Sequence, residues 1–186
     1  MRRSQRLPFR PAMAALSRCV VTTGWLLTRR AVHLPKGNVG RRLSFADDST
    51  AVVYRETTVD RDEASDPCVL VVSFRLRWVR GWGWGHRLFR WESMLNTVLF
   101  VGFPGFVSKL WLAHDRNGVY RGLYEWDGPA SAEAYVRALW WALILVSAKD
   151  SIRHQVVPGI RRDAVLAGVG DVEPPAREWW NLVGVS

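Results

Sequence analysis

Residues 102–128, GFPGFVSKLWLAHDRNGVYRGLYEWDG, decide the fold. Two stretches of strand-forming residues flank Asp115-Arg116-Asn117-Gly118, where Asp supplies a side-chain acceptor and Gly tolerates positive φ. That pattern predicts a β-hairpin closed by a three-residue loop with a glycine bulge. In this register Asp115 faces Val119, His114 faces Tyr120, Trp111 faces Leu123, and Lys109 faces Glu125 as a cross-strand ion pair. A two-residue Asn117-Gly118 turn is the alternative, and it shifts every pairing by one.

Asp127-Gly128-Pro129 ends the second strand, because Pro129 cannot continue a ladder, and Ser131 is placed to cap a helix. Ala132, Tyr135, Leu139, Ala142, Leu143 and Val146 then recur at helical spacing. The opposite side carries Val136, Trp140, Trp141 and Ile144, so this helix needs cover on more than one side. Upstream, Cys68-Val69-Leu70-Val71-Val72-Ser73-Phe74-Arg75-Leu76 reads as a central strand. A Gly81-Trp82-Gly83-Trp84-Gly85 loop follows, and then a helix over 86–100. Ile152 opens a last strand that Pro158-Gly159 stops. The order β-α-β-β-α-β across 67–167 predicts an α+β domain, a ferredoxin-like antiparallel sheet with both helices on one face. Phe106, Leu110, Trp111, Tyr124 and Trp126 are too apolar for an open sheet face, which predicts a sheet-to-sheet homodimer.

The strand Gly105-Phe106-Val107-Ser108-Lys109-Leu110-Trp111-Leu112 and its partner Gly118-Val119-Tyr120-Arg121-Gly122-Leu123-Tyr124-Glu125-Trp126, followed by a helix with Glu133-Ala134, resemble the YdhR-like putative monooxygenases. Those belong to the dimeric α–β barrel superfamily, with the antibiotic-biosynthesis monooxygenases. The resemblance covers about half the chain, most closely 102–137. It implies a cofactor-independent oxygenase that acts on a small hydrophobic or aromatic substrate in a cavity between sheet and helices, using hydrogen bonds to a carbanion or enolate and a base.

The 186 residues suit one domain with extensions. Residues 1–44 hold ten basic residues and no acidic one, leaving 16 of the 26 basic residues against all 17 acidic ones. The net charge of +9 therefore belongs to the N-terminal segment, and the folded domain is near neutral. Stacking aromatics and basic residues are not interleaved there, so nucleic acid is not an expected partner. Within 1–44, AMAALSRCVVTTGWLL is interrupted by Arg18 and followed by Arg29-Arg30, a poor signal peptide and too short a membrane span. It reads as an amphipathic helix, either packed on the domain or lying on an anionic membrane surface. Met13 is an alternative start to Met1. Residues 45–66 read as a connecting segment and 168–186 as a tail whose Trp179-Trp180 has no assigned role.

Cys19 and Cys68 are too far apart in sequence for CxxC chemistry, which suits a reduced, cytoplasmic chain. The four histidines show no metal-ligand spacing, and neither a phosphate loop nor a nucleophile elbow is present. No metal or bound cofactor is expected. The polar groups within the aromatic core supply the candidate site. Asn96, His114 and Tyr120 are the candidate catalytic contacts; Trp91, Ser108, Tyr124 and Trp126 are the candidate substrate-binding residues. In the favoured register Ser108, His114, Tyr120, Tyr124 and Trp126 share one strand face, with Lys109, Arg121 and Glu125 on the other. Two functions fit: the oxygenase, which requires a pocket of a few hundred Å³ with converging polar groups, and a non-catalytic module that binds a hydrophobic ligand or a protein and is held near a membrane by its basic N-terminus. The second predicts a filled core.

Overall fold

The computed structural model describes residues 6–77, 96–167 and 178–186. The expected 81–85 loop and most of the expected 86–100 helix fall outside them. Eight strands form one curled antiparallel sheet: β1 Val32–His33, β2 Arg42–Phe45, β3 Thr50–Val59, β4 Pro67–Arg75, β5 Phe106–Leu112, β6 Val119–Asp127, β7 Arg153–Pro158 and β8 Leu182–Val185. Their order is β7-β4-β6-β5-β3-β2-β8, with β1 on the far end of β3. The described helices are α1 Phe9–Thr28, α2 Pro129–Val146 and α3 Arg162–Ala167.

This corrects the expected ferredoxin-like, dimeric α–β barrel domain. The strands expected from 67–158 are present, but half of the sheet comes from segments read as extension, connector and tail. The cause lies in β3. Its TAVVYRETTV is rich in β-branched residues and long enough to pair with β5 along one edge and with β2 and β1 along the other. β8 then pairs with β2, so residues near both ends of the chain close the sheet's last seam.

Both faces are covered by the chain itself. On one, Leu70, Val72, Phe106, Trp111, Tyr124 and Trp126 pack against α1 and α2. On the other, Leu110, Leu112 and Leu123 meet Leu43, Phe45, Leu166 and Trp179. The apolar residues that were to be hidden by a second subunit are hidden by α1, α2, β2 and the tail. That argument for a homodimer lapses.

α1 turns Ala12, Leu16, Cys19 and Thr23 inward at helical spacing, with Arg18 outward. The approach is close at Gly102, where an added Cβ would stand 2.1 Å from the Cys19 carbonyl oxygen. α2 starts at Pro129, with Gly128 rather than Ser131 at the cap position. Proline suits that first position because its missing N–H would have no partner there. As its all-round apolarity predicts, α2 packs on the sheet and on α1, and Trp141 donates Nε1–H to the Leu7 carbonyl at 3.0 Å.

The hairpin closes as read and pairs differently. Asp115 accepts the Asn117 and Val119 amides at 2.8 and 3.0 Å, and Gly118 has φ +71. The Asp115 N–H donates to the Val119 carbonyl, yet Leu112 faces Arg121, so Ala113 and His114 together oppose Tyr120. That extra residue is a bulge. Beyond it Trp111 faces Gly122, Lys109 faces Tyr124 and Ser108 faces Glu125. The expected Lys109–Glu125 pair is therefore not formed, and Lys109 and Ser108 exchange faces.

Candidate functional site

A cavity of about 410 Å³ lies between the sheet and α2. Tyr54, Lys109, Trp111, Tyr120 and Tyr124 line it from the sheet, and Leu99 and Phe100 from the Asn96–Leu99 3₁₀ turn and the residue after it. Tyr135, Leu139, Ala142 and Leu143 close it from α2. Leu145 and Val146 line it and are also exposed, which puts its mouth at the C-terminal end of α2.

Lys109 stands against the rings of this aromatic chamber. Lys109 is 6% exposed, and its Nζ is 3.1 Å from the centroid of the Trp111 ring, 4.5 Å from Phe100 and 4.6 Å from Tyr124. Three ring faces attract an ammonium through their quadrupoles, by about 2 kcal/mol for a desolvated pair. They accept no proton and bear no net charge. Among the described residues no carboxylate forms an ion pair with Lys109. Burial, and then the positive charge of Arg55, hold its pKa well below the ordinary lysine value. Arg55 is fixed by donating Nη2–H to Thr97 Oγ1 at 2.6 Å, and lies 5.3 Å over the other aromatic partner, Trp111. Trp111 is held in turn by its Nε1–H donated to Thr57 Oγ1 at 3.2 Å.

Two phenols share the lining with the amine. Tyr124 and Tyr135 hydroxyls stand 3.4 Å apart, and burial raises both pKa values, keeping both protonated. The site thus offers one amine and O–H donors inside apolar walls.

The sequence-selected residues divide. Tyr120 and Tyr124 line the cavity, Tyr120 stacking on Phe74 with centroids 6.0 Å apart. His114 packs its ring against Tyr120 at the hairpin end, with Nδ1 3.0 Å from the Asp115 carbonyl oxygen. Trp126 is buried behind the cavity, against Tyr135 and Phe106, and its Nε1 has no hydrogen-bond acceptor. Ser108 points to the opposite face with its Oγ unpartnered, because of the register shift. Asn96 opens the 3₁₀ turn; its side chain and Trp91 lie outside what the structure describes. Lys109 and Tyr135 were missed. Lys109 is one of only three lysines beside 23 arginines, and the other two, Lys36 and Lys149, are exposed. A lone lysine in a strand of an arginine-rich chain is the signal that was there.

The opposite face also buries charge, in matched form. Arg121 lies 3.0 Å from Asp115 and 2.9 Å from Asp47. Arg162 Nη1 lies 2.8 Å from Glu56, at an angle too bent for a hydrogen bond, and its backbone N–H donates to Glu125 Oε2 at 3.3 Å. Glu125, the expected partner of Lys109, is thus engaged here. Among the described residues no cluster of His, Cys, Asp or Glu could hold a metal ion. Burial pushes the Cys68 thiol up to about 11, so it is no nucleophile at neutral pH.

Comparison with protein-family models, curated proteins and solved structures finds no match to this chain. The resemblance over 102–137 has no support from them, and the barrel it implied is replaced by the curled sheet.

Proposed function

We propose that this protein binds a small, largely apolar molecule in the cavity under α2, with a polar group of the ligand at Lys109. The observation that carries this reading is a buried amine, with no carboxylate paired to it among the described residues, facing a cavity of about 410 Å³, within the roughly 300–1,000 Å³ usual for small-molecule sites. Apolar walls supply affinity by removing ligand surface from water, and one amine with two hydroxyls fixes orientation. A lysine without a carboxylate partner destabilises a core, so a fold that retains one has use for it. The oxygenase chemistry that accompanied the expected barrel is not carried forward.

The test is titration with cinnamyl alcohol, followed by the fluorescence of Trp111 and its neighbours. Saturable quenching is expected, with loss of at least about tenfold in affinity, some 1.4 kcal/mol, in an Ala142→Phe variant that fills the cavity. Equal binding by the filled variant overturns the reading.

The second proposal concerns the N-terminus. No helix among the described residues is long and apolar enough to cross a membrane. On α1, however, Val21 and Trp25 are exposed in line with Arg18 and Arg29, the arrangement of a helix that rests on anionic lipid. Arg29 stacks over Trp25 at 4.0 Å. Co-sedimentation with phosphatidylserine vesicles, lost in Trp25→Asp, is the expected result. Sedimentation unchanged by that substitution overturns it.

A further inference from the structure

We infer that Lys109 is a nucleophile and that the molecule held in the cavity carries an aldehyde or ketone, which Lys109 binds covalently and reversibly as an imine. This rests on the binding proposal above and deepens it.

Three observations bear on the amine. First, it can be neutral. A buried lysine is normally matched by a carboxylate, which would hold the proton on nitrogen. Here, among the described residues, Arg55 on β3 and the rings of Phe100, Trp111 and Tyr124 stand against it, and Tyr54 and Tyr135 line the same cavity. None favours the ammonium form except the rings, and Arg55 opposes it. Desolvation beside a second cation is a general means of activating a lysine amine. Secondly, it is reachable: Lys109 lines a cavity with space for a ligand beside it. Thirdly, it is held still. Nζ sits among three rings, and Trp111 is itself fixed by Thr57.

The chemistry closes on these groups. The Nζ lone pair adds to the carbonyl carbon, and one amine proton passes to the carbonyl oxygen to give a carbinolamine. A proton then reaches that hydroxyl, which leaves as water while the nitrogen lone pair forms the C=N bond. The Tyr124 and Tyr135 hydroxyls, kept protonated by burial, offer hydrogen bonds to that oxygen, and the proton itself comes from solvent through the mouth. Net, a carbonyl compound, the neutral lysine amine and one proton from solvent give a protonated imine and water, with no redox change. The departing water needs a way out, and the mouth at Leu145 and Val146 provides one. A carboxylate ligand would instead form an ion pair with Lys109, with no covalent bond.

The experiment incubates the full chain with cinnamaldehyde and sodium cyanoborohydride at neutral pH, which delivers hydride to the imine carbon and fixes it as a secondary amine. Peptide mapping by mass spectrometry then locates the adduct. Lys109 is expected to be labelled roughly tenfold or more above Lys36 and Lys149, since each unit by which an amine's pKa falls raises its neutral fraction about tenfold. Lys109→Met and Lys109→Arg are both expected to lose the adduct, and the unaltered chain to bind cinnamyl alcohol, which cannot form an imine. Labelling confined to Lys36, Lys149 or the N-terminal amine, with the alcohol still bound, overturns the imine and leaves the binding proposal standing. Failure of both aldehyde and alcohol to bind overturns the two together.

Discussion

The two faces of this sheet treat buried charge in opposite ways. On the face toward β2, α3 and the tail, Arg121 and Arg162 are each set against carboxylates, Asp115 and Asp47 for the first, Glu56 for the second. On the face toward α2, Lys109 has, among the described residues, aromatic rings and another cation beside it. Matched pairs hold a structure together at little net gain, and are costly to break. A single unmatched amine stabilises nothing. The difference separates charge kept for architecture from charge kept for chemistry.

The largest expected effect lies on the matched face. Arg162→Met leaves the Glu56 carboxylate buried without its cation and should cost about 3–5 kcal/mol in urea unfolding. A loss of only a few tenths would remove the contrast between the faces.

Next comes Lys109→Met, with the opposite sign. Exchanging an uncompensated buried amine for an apolar chain of similar size should stabilise by about 1–4 kcal/mol at pH 7. The pH dependence sharpens this. The folded pKa is depressed, so between it and the unfolded value of about 10.4 the unfolded chain binds the extra proton. Wild-type stability therefore rises with pH through that window, and the advantage of Lys109→Met shrinks towards pH 10. Denaturant midpoints of the two proteins at pH 7 and about pH 10 check it. A constant gap would mean that Lys109 is as protonated in the fold as outside it.

The smallest effect bears on what sorts residues between the faces. Gly118 has φ +71, and a Cβ there would meet nothing within 4 Å, so Gly118→Ala isolates the cost of the left-handed conformation. About 1–2 kcal/mol of destabilisation is expected, read from thermal melts.

The turn itself was legible, because Asp115 and Gly118 act locally and their chemistry does not depend on the rest of the fold. The register behind it was not. The bulge at Ala113–His114 accompanies Arg121, which joins Asp115 of its own hairpin to Asp47 far off in sequence, and that second pairing is a tertiary contact. One extra residue then moved Lys109 to the cavity and Ser108 away from it. Tyr120 and Tyr124 were readable as site residues because they lie on β6, whose alternation the bulge on β5 leaves intact. β3 was misread as a connector although its β-branched composition was in plain view; a strand between basic and acidic loops has no local mark of the partners it will find. Trp179 was seen as unexplained, and its place in the second core depends on β8 pairing across nearly the whole chain.

That last pairing has a consequence for biosynthesis. β2 is made early and cannot complete its outer edge until Leu182–Val185 have been translated and have left the ribosome. Until then Leu43 and Phe45 lack part of their cover, and a sticky strand edge stands open. The nascent chain thus passes through a period of exposure to chaperones and neighbouring chains, and the seam that ends it is the slowest kind of contact to make.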